Sequence, residues 1–234
     1  MPDTTIFPSK QGVITGPSGI GSVGAAQTTS GTAVTPTGGV TTAVQFFKSS
    51  GRGGGTYRFI RSYLGFDVSG VSSTVQSADL ILKSFSSLDD ADIRIVNSEA
   101  FGNDLSSNIA NTDFDDIDTS LAGAFSNEVS SWNSGGSNNT IAINSAGITA
   151  INSARTGNGA FIIAIIENDS DYFGVDISGD ASFDIGIDFG TGDIKLVVTT
   201  AAAGYAHQVL DVPNANMATV KDVGKDSIAS VIGV

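Results

Sequence analysis

The stretch RFIRSYLGFDVSGVSSTVQSADLILKSFSS, Arg58 to Ser87, decides the fold. From Tyr57 onward, Phe59, Arg61 and Tyr63 alternate with Arg58, Ile60, Ser62 and Leu64, so both faces of an extended chain carry bulk. After a small polar turn, SADLILKSFSS (77–87) reads as a second strand. The two runs are expected to pair as a hairpin early in a β-sandwich, with Arg58, Arg61 and Asp67 as its structural residues. Arg58 and Arg61 stand in an otherwise acidic chain. Their guanidinium forks suit neighbouring carboxylates or strand-end carbonyls and would fasten the sandwich edge. Asp67, just before Ser69 and Gly70, suits a cap on the turn into the next strand.

The rest of the chain repeats this idiom. From Thr37 to Thr200 there is no proline, as expected where every backbone N–H can be wanted in a ladder. Further strands are expected over 40–49, 91–100, 139–146, 159–168, 172–179 and 194–201, and GAFIIAII, apolar on both faces, is marked as central. Two short pieces read as helical or turn-like. In NTDFDDIDTSLAGAF, Thr112 or Asp113 can cap a turn; in SAGITAINSAR, Ile148, Ile151 and Ala154 share a face after Ser145. Eight strands with two brief helical crossovers predict an all-β protein, a two-sheet antiparallel jelly-roll sandwich spanning residues 37–202.

Composition agrees. Among 234 residues, 40% are hydrophobic, 15% are charged and 29 are glycine, which disfavours long helices and favours strands and turns. The formal net charge of -13 repels nucleic-acid phosphates and anionic membranes, so neither is an expected partner. The absence of cysteine excludes disulfides and thiolate metal sites. MPDTTIFPSK carries no basic segment leading into an apolar run, so no secretory signal is expected. AFIIAII (160–166) is far shorter than the ~20 residues that cross a bilayer.

Both ends differ from the middle. Residues 1–36 hold four of the five prolines and, before Lys48, only Asp3 and Lys10 are charged. With Ile6, Phe7, Val13, Ile14 and Ile20 as apolar teeth, this segment is expected to be an extended arm that docks on a neighbouring subunit. Residues 203–234 cluster Val209, Leu210 and Val212, then Ile228, Val231, Ile232 and Val234, and read as a second docking arm or small subdomain.

Catalytic constellations are sparse. The single histidine, His207, lacks any surrounding nucleophile elbow or orienting partner. Carboxylates are plentiful, including Glu99, Asp113, Asp115, Asp116, Asp118, Glu128, Glu167, Asp169 and Asp171, so an acid–base pair for glycoside cleavage is available in residue types. One Trp and four Tyr are a thin supply of stacking platforms for a sugar cleft, and Trp132 reads as a core or rim plug. DFDDID (113–118), ENDSD (167–171) and FDIGIDFGTGD (183–193) offer hard oxygen ligands for Ca²⁺ but lack the EF-hand spacing, so no cofactor is expected and Asx turns explain them. GPSGIGSVG and SSGRGGGT lack the Walker lysine pattern and read as connectors, the second turning the arm into the sandwich.

The run YRFIRSYLGFDVSGVSSTVQSADLILKS resembles the hallmark hairpin of DNRLRE-type jelly-roll modules, with Tyr57, Arg61, Leu64, Phe66, Asp67, Ala78, Leu80 and Leu82 matching, although the literal DNRLRE string is absent. DIRIVNSEAFGNDLSSNIANTDFDDIDTSLAGAFSNEVSSW, DIKLVVTT and the IASVIGV ending are similar to β-sandwich proteins of tailed bacteriophages. The resemblance implies a fold more than an activity. It implies a non-enzymatic virion structural protein assembled in the host cytoplasm. Within that class, a capsid decoration or cement protein is expected, a homo-oligomer (trimer or dimer) whose arms contact other virion proteins, the major capsid protein first among them. The alternative is a tail-associated receptor-binding or carbohydrate-binding module, for which a glycan is the partner.

Overall fold

The computed structural model describes residues 3–51, 54–88 and 92–201. Among them, twelve strands join one continuous antiparallel network: β1 (Asp3–Ile6), β2 (Lys10–Thr15), β3 (Thr32–Val34), β4 (Val40–Gly51), β5 (Gly54–Asp67), β6 (Val75–Leu88), β7 (Ile93–Ser98), β8 (Ile117–Asp118), β9 (Ser137–Ala142), β10 (Ala160–Glu167), β11 (Ala181–Asp188) and β12 (Ile194–Thr200). Two helices accompany them, α1 (Val23–Thr28) and α2 (Ser145–Thr156). The order β1-β12-β6-β11-β4-β5-β10-β7-β8, with β2 on β5 and β9 on β6, folds over into an antiparallel all-β sandwich.

The network becomes two layers because β5 forks. Ile60 pairs with both Thr15 and Gln45, so β2 and β4 lie on opposite edges of β5; Ser62 to Gly65 pair with both β2 and β10. Strands β4 and β10 therefore share one edge, β4 taking the first half of β5 and β10 the second, and they diverge into opposing sheets. Bulges in β4 at Ala43 and in β6 at residue 85, both opposite the Ile185–Ile187 stretch of β11, help these strands turn away. Two serines occupy carbonyls at these irregular points: Ser62 Oγ donates to Ala43 O (2.7 Å) and Ser84 Oγ to Gly186 O (2.9 Å).

The main core fills the space between the layers. One wall is Ile60, Leu64 and Phe66 of β5 with Ile163 and Ile165 of β10; the facing wall is Leu80 and Leu82 of β6 with Leu196 and Val198 of β12. Helix α2 closes an end, capped by Asn144, whose side chain accepts from the amides of Ala146 and Gly147, and seated by the buried Ile151. The expected face of this helix is present; its cap lies one residue earlier than Ser145. Strand β10 is buried on both sides, as its composition predicts, and its second face opens a separate outer core. There Phe59 and Tyr63 of β5, Ile162, Ala164 and Ile166 of β10 and Val96 of β7 are roofed by α1, Phe101 and Phe114.

Three expectations change. First, β5 and β6 do not pair: β5 takes β2, β4 and β10, while β6 takes β9, β11 and β12. The expected hairpin is instead a crossing between sheets. The link 68–74 passes over the main core and buries Val68 and Val71 in it. Second, residues 3–36 are part of the body. β2 completes the second edge of β5, β1 pairs with β12, and Val13 and Ile14 point into the main and outer cores respectively. Pairing satisfies the β5 edge and burial of two aliphatic side chains contributes ~1.5–3 kcal/mol each, so the segment gains more on its own protomer than as a free arm. SSGRGGGT accordingly joins β4 to β5 as antiparallel neighbours, with Ser49 opposite Thr56. Third, YFGVDISG (172–179) is not a strand. It follows a one-turn π-helical segment, Asn168–Tyr172, and runs irregularly to β11.

Candidate functional site

The residue that the opening stretch singles out, Arg61, lies at the centre of the outer core. On β5 it occupies the face shared by Phe59 and Tyr63, and both it and Asp171 are 1% exposed. Its Nε donates to Asp171 Oδ2 (2.8 Å) and its Nη2 to Asp171 Oδ1 (2.6 Å), a bidentate pair between residues 110 apart in sequence. Nη2 also donates to Gln27 O at the end of α1 (2.9 Å), Nη1 donates to Phe114 O, and the guanidinium stacks on the Phe114 ring at 4.1 Å. Tyr63 Oη donates to the same Phe114 carbonyl (2.7 Å). Desolvation opposes the charge on Arg61, but the Asp171 carboxylate outweighs it and the guanidinium pKa is raised; burial likewise pushes the Tyr63 phenol up. One cation thus ties a strand, a helix and two loops.

The loop that supplies Asp171 is built by a second buried carboxylate. Glu167, 3% exposed at the end of β10, accepts from the backbone amides of Asp169 (2.9 Å), Ser170 (2.6 Å) and Asp171 (3.0 Å) and so caps the π-helical turn. Burial pushes its pKa up to about 7 even though these three amides pull it down. Gln27 clamps the turn from outside, its Nε2 donating to Asp171 O (2.7 Å) and Ser170 O (3.1 Å). Arg94 lies over Tyr172 at 4.5 Å and Phe173 at 5.4 Å, and Phe173 is 61% exposed. Lys48 holds the next part of the loop through Asp176 (2.6 Å).

The other hairpin residues do different work. Arg58 Nη2 donates to Gln45 Oε1 (2.5 Å), and its guanidinium stacks on Phe47; it bonds a side-chain amide across the strand instead of the carboxylate or strand-end carbonyl anticipated for it. Asp67 accepts from Ser69 N (3.0 Å) and Ser69 Oγ (2.6 Å), as a turn cap should, and those bonds hold its carboxyl below the usual range. Trp132 is half-buried against the main core with its indole N–H on Ser84 Oγ, a rim plug as expected.

Of the expected subunit-contact residues, Val13 and Ile14 are buried in their own protomer, and Ile6 and Ile20 pack partly buried against its cores. Phe7 alone of the N-terminal set is well exposed, at 54%. Val209, Leu210, Val212, Ile228, Val231, Ile232 and Val234 lie outside the described residues, as does His207.

The carboxylates separate by role. Asp171 and Glu167 are structural, and Asp113 accepts from the amides of Phe101 (3.2 Å) and Ala110 (3.1 Å). Glu99, Asp115, Asp116 and Asp118 gather around a shallow cleft of about 320 Å³, where burial and then the neighbouring Asp113, Asp115 and Glu99 raise the Asp116 pKa. Among the described residues no group of three or more His, Cys, Asp or Glu is placed to hold a metal ion. FDIGID, expected to form Asx turns, is strand β11, with Ile185 and Ile187 in the main core.

A larger cleft, about 500 Å³, opens where the β1–β2 corner meets the 101–109 loop and the β11–β12 turn. Phe7, Gln11, Thr35, Asn108 and Thr191 line it, over a floor that includes Phe189 and Gly190. No sequence signal pointed here. The lining comes from four separated segments, and only the topology assembles them.

Set beside known proteins, the chain matches no family model, and no curated protein is similar to it.

Proposed function

We propose that this protein is a non-enzymatic structural protein of a bacteriophage virion, a capsid decoration or cement protein that stabilises the particle by surface contact. The observation that carries the reading is the fate of its strongest electrostatic constellation: Arg61, Asp171 and Glu167 are shut away from solvent and fasten layers of the body together. That is the arrangement of a rigid scaffold. The likeness of the β5–β6 stretch to DNRLRE-type modules supports the same class. Because β1 and β2 are integral to the sandwich, the contact with neighbouring subunits and with the major capsid protein is assigned to residues 203–234, whose sequence clusters Val209, Leu210 and Val212 before Ile228 to Val234.

Two deletions test the reading in particles of the phage that encodes the chain. Removing 203–234 should leave the thermal midpoint of the body unchanged and abolish incorporation into particles, with undiminished incorporation overturning the proposal. Removing 1–36 takes away β1, β2, β3 and α1 and should leave an unfolded or aggregated product; a cooperatively folded remainder would show that the first segment is dispensable. A second reading, a tail-associated module that contacts glycans, is favoured by the exposed Phe7 beside the larger cleft. Imaging the particle separates the two by where density for the chain sits.

A further inference from the structure

We propose that the cleft between the β1–β2 corner, the 101–109 loop and the β11–β12 turn binds a neutral saccharide, with Phe7 as the stacking face and Asn108 and Gln11 as hydrogen-bonding groups. The inference rests on the second reading's premise of glycan contact and is independent of where on a particle the chain sits. A volume of about 500 Å³ suits a small ligand. What selects the ligand class is the mixture of groups.

A pyranose presents C–H faces and hydroxyl edges, so its site needs an accessible ring and fixed neutral donors and acceptors. Phe7 supplies the ring. It stays 54% exposed on a chain corner whose neighbour Ile6 packs on the core, and Gly192 faces it with no side chain: a Cβ there would come 4.0 Å from Phe7 Cε1. The amides are held in place. Gln11 Nε2 donates to Phe189 O (3.3 Å) and Pro36 O (3.4 Å), which leaves its Oε1 as an acceptor. Asn108 Oδ1 accepts from Lys10 Nζ (3.2 Å), which leaves its NH₂ as a donor. Thr35 and Thr191 add hydroxyls.

Charge narrows the class further. In a chain with 24 acidic residues the lining contains no Asp or Glu, which disfavours a cation, and its one cation, Lys10, gives one N–H to Asn108 and keeps two for ligand hydroxyls. A neutral polyol is the ligand these groups complement. The loop that carries Asn108 is also held in an uncommon backbone: Phe101, Asn103 and Leu105 all have φ between 60° and 64°, and Gly102 has φ 76°. For the three non-glycine residues such left-handed backbone is uncommon, and positions of this kind concentrate at ligand clamps. Gly12 and Gly65 let the loop lie flat, since a Cβ on either would strike Ile109 or Leu105 within 2.7 Å.

The test is a titration of the full chain, by glycan array and then calorimetry, with neutral oligosaccharides of glucose, galactose, mannose and N-acetylglucosamine, alongside sialylated and sulfated arms. Binding to at least one neutral member is expected. Phe7→Ala and Asn108→Ala should each weaken it by about tenfold or more, whereas Phe173→Ala, an exposed aromatic elsewhere, should leave it unchanged. Both positions are surface ones, so unchanged thermal midpoints will confirm folding. Failure of every neutral glycan to bind, binding confined to anionic glycans, or binding indifferent to Phe7→Ala and Asn108→Ala overturns the proposal. Incorporation into particles is read separately with the 203–234 deletion, so loss of one result does not mimic loss of the other.

Discussion

Replacing Arg61 by Met removes the guanidinium that is the only hydrogen-bond donor to the Asp171 carboxylate among the described residues, at a site where both side chains are essentially sealed. The stranded carboxylate must either stay charged in the outer core or take up a proton. At pH 7, protonating an aspartate of ordinary pKa costs about 4 kcal/mol, which caps the penalty and agrees with the ~3–5 kcal/mol typical of breaking a buried pair from one side. For a chain of this size that lowers the thermal midpoint by about 6–20 °C. The double variant Arg61→Met/Asp171→Leu removes the stranded charge as well. Phe114 O keeps its bond from Tyr63 Oη, whereas Gln27 O loses a donor, so the double variant should lie only ~1–3 kcal/mol below the parent. Urea unfolding at pH 7 and at pH 4 is the assay. The single variant should be the less stable of the two at pH 7, and its deficit should shrink at pH 4, where an unfolded aspartate is already about half protonated. A double variant as unstable as the single one, or a single-variant deficit indifferent to pH, would refute the view that an uncompensated charge dominates.

Glu167 gives a pH dependence of defined sign. Its folded pKa of about 7 lies above the ordinary 4.5, so between those values the folded state holds a proton that the unfolded state has released, and stability contributed by this group falls as pH rises from about 4.5 to about 7, by about 3 kcal/mol at most. The difference in unfolding free energy between the parent and Glu167→Gln, measured across that range, should carry this slope; a flat difference would remove burial as the cause. Gly12→Ala places a methyl 2.7 Å from Ile109 Cβ, too close for a β-carbon to yield easily, and should cost ~1–3 kcal/mol while displacing the 101–109 loop, read by hydrogen exchange at its amides. An unchanged midpoint together with unchanged exchange would mean that the loop has room to spare.

What was legible in the sequence is what two-residue periodicity encodes. Strands β4, β5, β6, β7, β9, β10 and β12 all fall within or close to the alternating runs, and AFIIAII on both faces foretold a strand covered twice. Strand β11 carries the same signal, Phe183, Ile185 and Ile187 against Asp184 and Asp188, but its acids and the glycines that follow also suit Asx turns. YFGVDISG fails in the opposite sense: its alternation is real, yet the Glu167 carboxylate, by collecting three amides, has already turned the backbone before Tyr172. Strand β2 was hidden for a different reason. Val13 and Ile14 are adjacent, one for each core, and apolar residues in a proline-flanked segment look the same whether they are meant for a neighbour or for the chain's own β5. The site was less legible still, because Arg61 meets Asp171 and Phe7 meets Thr191 only after the sheets have closed.

The reading of β5 and β6 as a hairpin shows where the local signal could have been used better. A tight hairpin places φ-positive pairs such as Asn-Gly between its strands and keeps the link polar and exposed. The link here, VSGVSST (68–74), has seven residues and carries two valines, 0% and 5% exposed, with Val71 N donating to Val68 O (3.1 Å). A solvent-facing turn gains nothing from valine, but a chain crossing from one sheet to the other passes over the mouth of the core and must cover it. Apolar residues spaced three apart inside an otherwise polar link therefore argue for a crossing between layers. Arg61 is no edge fastener for a separate reason: β5 has β2 on one edge and β4 and β10 on the other, so the charge on its outer face is covered and finds its partner in Asp171, from a distant loop.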